Sequence, residues 1–366
     1  MVKTRLRFGS RIHLRFGEQF DELIHRARFL EENGFDTVLL DDHLLYGTSS
    51  AVALEPFSAG AAIANQTKKI KVGVAVTDLV RRHPAILAQA SGTISIIANG
   101  RFVLGLGSGD PMNQSPFGLP TDHRFDRFRE GVLLLKMLWS SSIDNPVTYK
   151  GRFHSLTNAY LQTGMPERNR PPLYFAAFGD RMLRFTGEEA DGWIPHCHTP
   201  ETYGKDLAKI NDSAKQVGRA SLQTIIPSYY TVASIANTRE QADADVVGPA
   251  KFFLALIPDA LRKIDPSIQH PGRIWEKSPD PRVQREVIRK IASLIPRETA
   301  LNTVIHGTPS DCIEQISNYV KEGCREFLLT FTPTAGLWSG DETLPMARLF
   351  AERVIRYFLE EYDQVS

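Results

Sequence analysis

The sequence predicts an α/β protein built on a (β/α)8 barrel, and three observations carry that expectation. Short apolar runs alternate with amphipathic stretches along most of the chain, the pattern of parallel strands joined by helical crossovers. Eight such runs can be traced, the number that closes a barrel. The open doubly wound alternative requires a strand, a G-x-G-x-x-G turn and a helix near the start, and none is there. A chain of 366 residues is long for one domain, but barrels with insertions reach this length. The expectation is therefore a single barrel domain over residues 1–366, with insertions at about 140–170 and 238–300.

Each element has its own signal. Leu6–Ser10 reads as the first strand, and Phe20–Asn33 as a helix ended by Gly34. Thr37–Asp41 is the second strand, followed by a helix over Pro56–Thr67 with proline at its start. Ile70–Thr77 is the third, and Pro84 opens a helix running to about Ile97. Arg101–Leu106 is the fourth strand, with Phe125–Trp139 helical beyond it. Prolines and glycines break the rhythm over 140–170, leaving one short extended piece at Val147–His154. Leu173–Ala177, Gly192–Pro195 and Thr224–Ser234 supply strands five to seven, with helices at Arg181–Ala190 and Pro200–Val217 between them. Residues 238–300 are helical and out of rhythm. A helix at Ser310–Glu322, a strand at Glu326–Thr332 and a helix from about Thr343 to Tyr362 complete the chain.

Composition narrows the function. With 43 basic and 42 acidic residues the chain has no global field to attract nucleic acid or an anionic membrane. No run of about 18 apolar residues is present, so no membrane span is expected. The basic N-terminus lacks the apolar stretch of a signal peptide. Cys197, Cys312 and Cys324 are odd in number and scattered, which suits a reducing cytoplasm better than a disulfide framework.

In a barrel the chemistry gathers at the C-terminal strand ends. The most informative is Phe102 to Asn113, an apolar run that stops in Gly105-x-Gly107-Ser108-Gly109 and then Asp110. Glycines there let backbone N–H groups approach a bulky ligand without Cβ interference, although a bare tight turn has the same spacing. Strand two ends in Asp41-Asp42-His43, a carboxylate and imidazole suited to acid–base work or simply to capping and packing. Strand five ends in Ala176-Ala177-Phe178-Gly179-Asp180-Arg181 at the head of a helix. That is a natural phosphate seat, or an ordinary turn capped by Asp180. His196-Cys197-His198 ends strand six; alternating residues of a strand point to opposite faces, which leaves two imidazoles without a clear carboxylate set nearby, so a substrate-lining histidine is expected rather than a metal site. Small residues on consecutive strand ends suggest a broad planar ligand across the barrel mouth.

These strand ends resemble the bacterial-luciferase-like superfamily, and within it the branch that uses the deazaflavin coenzyme F420. The resemblance covers nearly the whole chain: Asp42-His43, Val76-Thr77 with Arg82-x-Pro84-Ala85, the glycine loop, Ala176-Ala177-x-Gly179, Ala190-Asp191-Gly192-Trp193 and Gly307-Thr308-Pro309 all follow its order. The look is nearest to the phthiodiolone-ketoreductase type, with methylenetetrahydromethanopterin reductases and glucose-6-phosphate dehydrogenases more distant. The resemblance implies a cis peptide at Ala75-Val76, bulging against the coenzyme ring. It implies coenzyme contacts at Asp42, Ala75, Val76, Thr77, Gly107, Ser108, Gly109, Asn113, Ala176, Ala177, Gly179, Asp180 and Arg181. It also implies acid–base roles for His43 and Asp110, and a homodimer formed through the helices after strands two and three. Two departures stand out: Asp110 replaces the glutamate of the sugar-phosphate enzymes, and Leu44, Leu45 and Tyr46 replace their tryptophan.

The expected function is therefore F420-dependent hydride transfer to or from a carbonyl, alcohol or imine carbon of a small or lipid-like substrate. The alternatives are a monooxygenase using reduced FMN and a catalytically silent flavin-binding homologue.

Overall fold

The computed structural model describes residues 5–46, 51–219, 225–272, 274, 278–332 and 340–363. Eight parallel strands close into a barrel: β1 (Arg7–Arg11), β2 (Thr37–Leu40), β3 (Lys71–Asp78), β4 (Phe102–Gly107), β5 (Leu173–Phe175), β6 (Gly192–Trp193), β7 (Ile226–Ile235) and β8 (Glu326–Phe331). Closure is made twice over. Phe8 of β1 lies opposite Phe327 of β8, and the two-residue β6 bridges β5 and β7 through Gly192 and Trp193. The first six strands are each followed by a helix: α1 (Phe20–Glu32), α2 (Pro56–Gln66), α3 (Pro84–Ile97), α4 (Arg124–Trp139), α5 (Asp180–Glu189) and α6 (Pro200–Gln216). Among the described residues no helix is long and apolar enough to cross a membrane.

Local chemistry explains the element ends. Glu55 caps α2 by accepting from the N–H groups of Phe57 and Ser58, and Pro56 starts the helix. Gly34, at φ +79°, turns the chain out of α1 in the left-handed conformation that glycine adopts freely. Inside the barrel, bulky side chains fill space that neighbouring glycines vacate. A Cβ on Gly73 would lie 2.5 Å from Leu39, and one on Gly192 would lie 2.6 Å from the Tyr174 ring. Both gaps are far below van der Waals contact, so neither position accepts a side chain without displacement.

The insertions are more ordered than the sequence suggests. Residues 147–159 form an antiparallel pair, Val147–Lys150 with Ser155–Ala159, instead of one extended piece over Val147–His154. Buried Glu130 makes the corner by accepting from the N–H groups of Arg152, Phe153 and His154. The segment after β7 folds as α7 (Arg239–Leu256), α8 (Pro258–Ile264), α9 (Pro281–Leu294) and α10 (Arg297–Leu301). Val246, Ala250, Leu254, Leu261 and Ile291 give it a small core of its own, resting on Val232 of β7. The sequence reading missed the strand Ile305–Gly307, which adds to the outer edge of β7 before α11 (Pro309–Lys321). The final helix is interrupted by a π-helical turn, Ala351–Ile355. Thr224, the expected start of strand seven, lies outside the described residues.

Candidate active site

The C-terminal ends of the barrel strands frame a cleft of about 370 Å³, roofed by the inserted helices. On the barrel side it is lined by Asp42, His43, Val76, Thr77, Gly107, Ser108, Gly109, Asp110, Ala176 and Gly179. Ten of the residues singled out from sequence therefore share one concave surface. Ala75, Asn113, Ala177, Asp180 and Arg181 do not line it.

The β2 end sends its two acids to opposite sides, as consecutive residues of an extended chain must. Asp41 points into the barrel, where it accepts from Arg11 Nη1 and meets His13 Nε2, both at 3.1 Å. Burial pushes the Asp41 carboxyl up, but the Arg11 charge and the His13 contact outweigh it and hold the group ionised. Asp42 accepts from the Thr77 hydroxyl, from Arg82 Nε at 2.9 Å and from Arg81 Nη1 at 3.3 Å. Burial again opposes ionisation, and the two arginines and Thr77 reverse it, so Asp42 is held below the usual carboxylate range. His43 does not pair with Asp42. Its ring stacks on Tyr46 (centroids 4.8 Å apart, planes 23°), and its buried Nδ1 has no hydrogen-bond partner among the described residues.

The β3 end carries the bulge. Val74 lies opposite Leu104 while Thr77 lies opposite Leu106, so β3 holds one more residue than β4 between those pairs. The Ala75-Val76 peptide within it is cis. Val76 faces the cleft and Ala75 lies beneath, where a Cβ on Gly105 would come within 2.7 Å of it. A Cβ on Gly107 would lie 3.1 Å from Val76.

Beyond β4 the loop is held by its own polar groups. Asp110 accepts from Met112 N–H at 3.0 Å and from Asn113 Nδ2 at 2.8 Å. Asn113 Oδ1 in turn accepts from the N–H groups of Leu44 and Leu45, tying the glycine loop to the segment after His43. Asn113 is thus a buried strut of the site. Arg124 clasps the same loop through the Ser108 and Gly109 carbonyls.

At the β5 end the helix cap is Gly179, not Asp180, and among the described residues no side-chain cap bonds the first N–H groups of α5. A Cβ on Gly179 would meet nothing within 4 Å, so the helix start opens directly onto the cleft. Free N–H groups at the positive end of a helix dipole suit an anion such as a phosphate. Asp180 turns outward to Lys209, and Arg181 lies over the Phe125 ring and pairs with Asp126 on α4. Ala177 is buried, its carbonyl accepting from Trp193 Nε1.

The two histidines beyond the end of β6 are both internal. His198 Nε2 contacts Asp206 at 3.0 Å, and Lys263 donates to the same carboxylate. His196 Nδ1 faces the Tyr230 carbonyl at 2.9 Å, and burial with the nearby Arg11 charge lowers its pKa to about 3. Among the described residues no group of three His, Cys, Asp or Glu side chains is disposed to hold a metal ion.

The sequence reading missed the opposite wall, where Met112, Phe178, Met182, Leu256, Ile257, Pro258, Ile274 and Ile288 face the cleft. The only available signal was the position of the 238–300 insertion between the last two barrel strands.

The profile of the luciferase-like monooxygenase family matches residues 4–326, and the chain belongs to that family. It is 30% identical over 320 residues to an F420-dependent glucose-6-phosphate dehydrogenase of Beutenbergia cavernae, covering 84% of this chain and 86% of that one. It is 27% identical over 266 residues to a phthiodiolone/phenolphthiodiolone dimycocerosates ketoreductase of Mycobacterium tuberculosis, covering 71% and 69%. Among solved structures, the coenzyme F420-dependent tetrahydromethanopterin reductase of Methanopyrus kandleri superposes with a TM-score of 0.77 at 22% identity, over 97% of this chain and 100% of that one.

Proposed function

We propose that the protein is an F420-dependent oxidoreductase, a single barrel domain with insertions that moves a hydride between the deazaflavin and a carbonyl, alcohol or imine carbon. The observation that carries the reading is the uncapped start of α5 at Gly179, set across one cleft from His43 and the glycine loop. The residues fit the coenzyme. Val76, Gly107 and Ala176 offer a floor of small side chains for a planar ring, and the α5 N–H groups offer a seat for its phosphate. F420-dependent relatives in the same family add support.

When bound, the deazaflavin supplies or accepts the hydride at C5, and the protein supplies orientation and protons. Asp42, fixed by Thr77, Arg81 and Arg82, holds the β2 and β3 ends together beside the ring site. His43 is the proton carrier at the substrate oxygen or nitrogen, with its ring plane set by Tyr46. Asp110, at the cleft edge, is the second proton-carrying group. The protein works in the cytoplasm, a reading supported by three buried free cysteines. It pairs as a homodimer through α2 and α3, where Ile86, Ile96 and Ile97 stand exposed along α3.

Titrating the purified protein with F420 and with FMN, followed by absorbance and fluorescence, tests the reading. Micromolar or tighter F420 binding with clearly weaker FMN binding is expected. Tight FMN binding with oxygen consumption on supply of reduced FMN would replace it with a monooxygenase.

A further inference from the structure

The two walls of the cleft differ in chemistry. The barrel wall carries backbone glycines and titratable groups, whereas the wall from the inserted helices presents Leu256, Ile257, Pro258 and Ile288. Leu256, Ile257 and Pro258 form the α7–α8 junction; Leu256 and Ile257 pack in part against the small helical core, and all three are only half-buried, leaving aliphatic surface on the cleft. An apolar face lining a concave site remains hydrated until something apolar covers it.

The polar groups on that wall are turned to one another. His270 has both ring nitrogens engaged, Nε2 with the Ala255 carbonyl at 2.9 Å and Nδ1 with the Gly272 N–H at 3.0 Å. Burial lowers its pKa, so it stays neutral. Gln284 donates its amide to the Ser278 carbonyl at 2.9 Å, and Asp259 pairs with Arg262. Across the cleft the lining carboxylates are Asp42, Asp78, Asp110 and Asp259, against Arg81 and Arg124. Arg81 is bound to Asp78 and Asp42, and Arg124 to the loop carbonyls. With Arg81 and Arg124 engaged in this way, an anionic substrate head would have to compete for them with the carboxylates and loop carbonyls they already hold, whereas a neutral chain needs no such partner.

We propose that Leu256, Ile257, Pro258 and Ile288 form the substrate subsite and that it takes an uncharged aliphatic chain attached to the reacting carbonyl or carbinol carbon. This deepens the functional reading above and rests on it. The reacting carbon would lie between His43 and the coenzyme floor, and the chain would run along the α7–α8 junction.

The test is binding, not turnover, so that it does not depend on guessing the natural substrate. Affinities of the F420-loaded protein for 2-alkanones from acetone to 2-nonanone are measured by calorimetry, beside alkyl phosphates of equal length. Each methylene buried against the wall should tighten binding about fourfold. Leu256→Asn with Ile257→Asn should flatten that dependence while F420 affinity and the circular dichroism spectrum stay unchanged. Ile257→Asn alone serves if the double variant does not fold. Ketone affinity independent of chain length, no ketone binding, or tighter binding of the alkyl phosphate would each overturn the proposal. Failure to bind F420 at all would instead remove the functional reading, and the chain-length series on the coenzyme-free protein would still report on the wall.

Discussion

Asp41, Asp42 and His43 are three consecutive residues with three unrelated jobs. Asp41 neutralises a buried arginine, Asp42 locks two strand ends together, and His43 is left with a bare ring nitrogen beside the cleft. The sequence marked the triplet because it ends a strand. It could not show which acid faces which partner, because Arg11, Thr77, Arg81 and Arg82 come from other strands and loops. If His43 carries the proton, His43→Ala should lose on the order of 10²–10⁴ in single-turnover rate at saturating F420, with coenzyme affinity kept. A normal rate with weakened F420 binding would make it a packing residue. Gly109 is the residue of the loop least able to change. Its φ is +97°, and a Cβ would lie 2.2 Å from Gln114 Nε2. Gly109→Val should abolish F420 binding measured by fluorescence while the far-ultraviolet spectrum is retained; wild-type affinity would reduce the loop to a mere turn.

At the scale of elements, the long amphipathic helices and the apolar strands were legible because each carries its own periodicity. The strand Ile305–Gly307 was not, since three residues have no period to read and its pairing with β7 is a tertiary event. The Glu130 corner escaped for a similar reason: a helical glutamate gives no sign that three distant N–H groups will converge on it. Helix contacts offer sharper tests. On α5, Gly187 packs so tightly against α6 that a Cβ would lie 2.3 Å from the Ile210 carbonyl. Gly187→Ala should therefore destabilise the fold by about 1–3 kcal/mol in urea unfolding, despite the helix propensity gained. On α3, Ile86→Glu with Ile97→Glu should convert the proposed dimer to a monomer in sedimentation velocity, and an unchanged sedimentation coefficient would remove that face from the proposal.

For the whole molecule, buried histidines set the response to acid. Burial and the Arg11 charge lower His13 to about 4 and His196 to about 3, from an ordinary value of 6.5. The unfolded chain takes up these protons below pH 6.5 and the folded chain does not. Stability should therefore be level above about pH 7 and fall as pH drops from 6.5 toward 4. Asp41 and Asp42, held low in the fold, add their loss below the ordinary carboxylate range. Melting temperature followed from pH 8 to pH 4 checks the first part, and His196→Asn should shallow the decline between pH 6.5 and 5. An equal slope in that variant would show that His196 titrates freely. The barrel itself was legible at this scale from the count and order of strands. The apolar wall of the cleft was not, because it is assembled from helices that looked like an irregular excursion.

The pairing of β1 with β8 also governs how the protein can be made. Phe8 meets its partner Phe327 only after more than three hundred further residues have emerged. Until then β1 and β7 each present an open row of backbone donors and acceptors, the usual template for association between chains. A nascent or truncated chain ending before Glu326 should accumulate as aggregate in vitro, measured by light scattering. Supplying the missing segment in trans, as a separate fragment carrying β8 and the helix behind it, should suppress that scattering by filling the gap between the two edges.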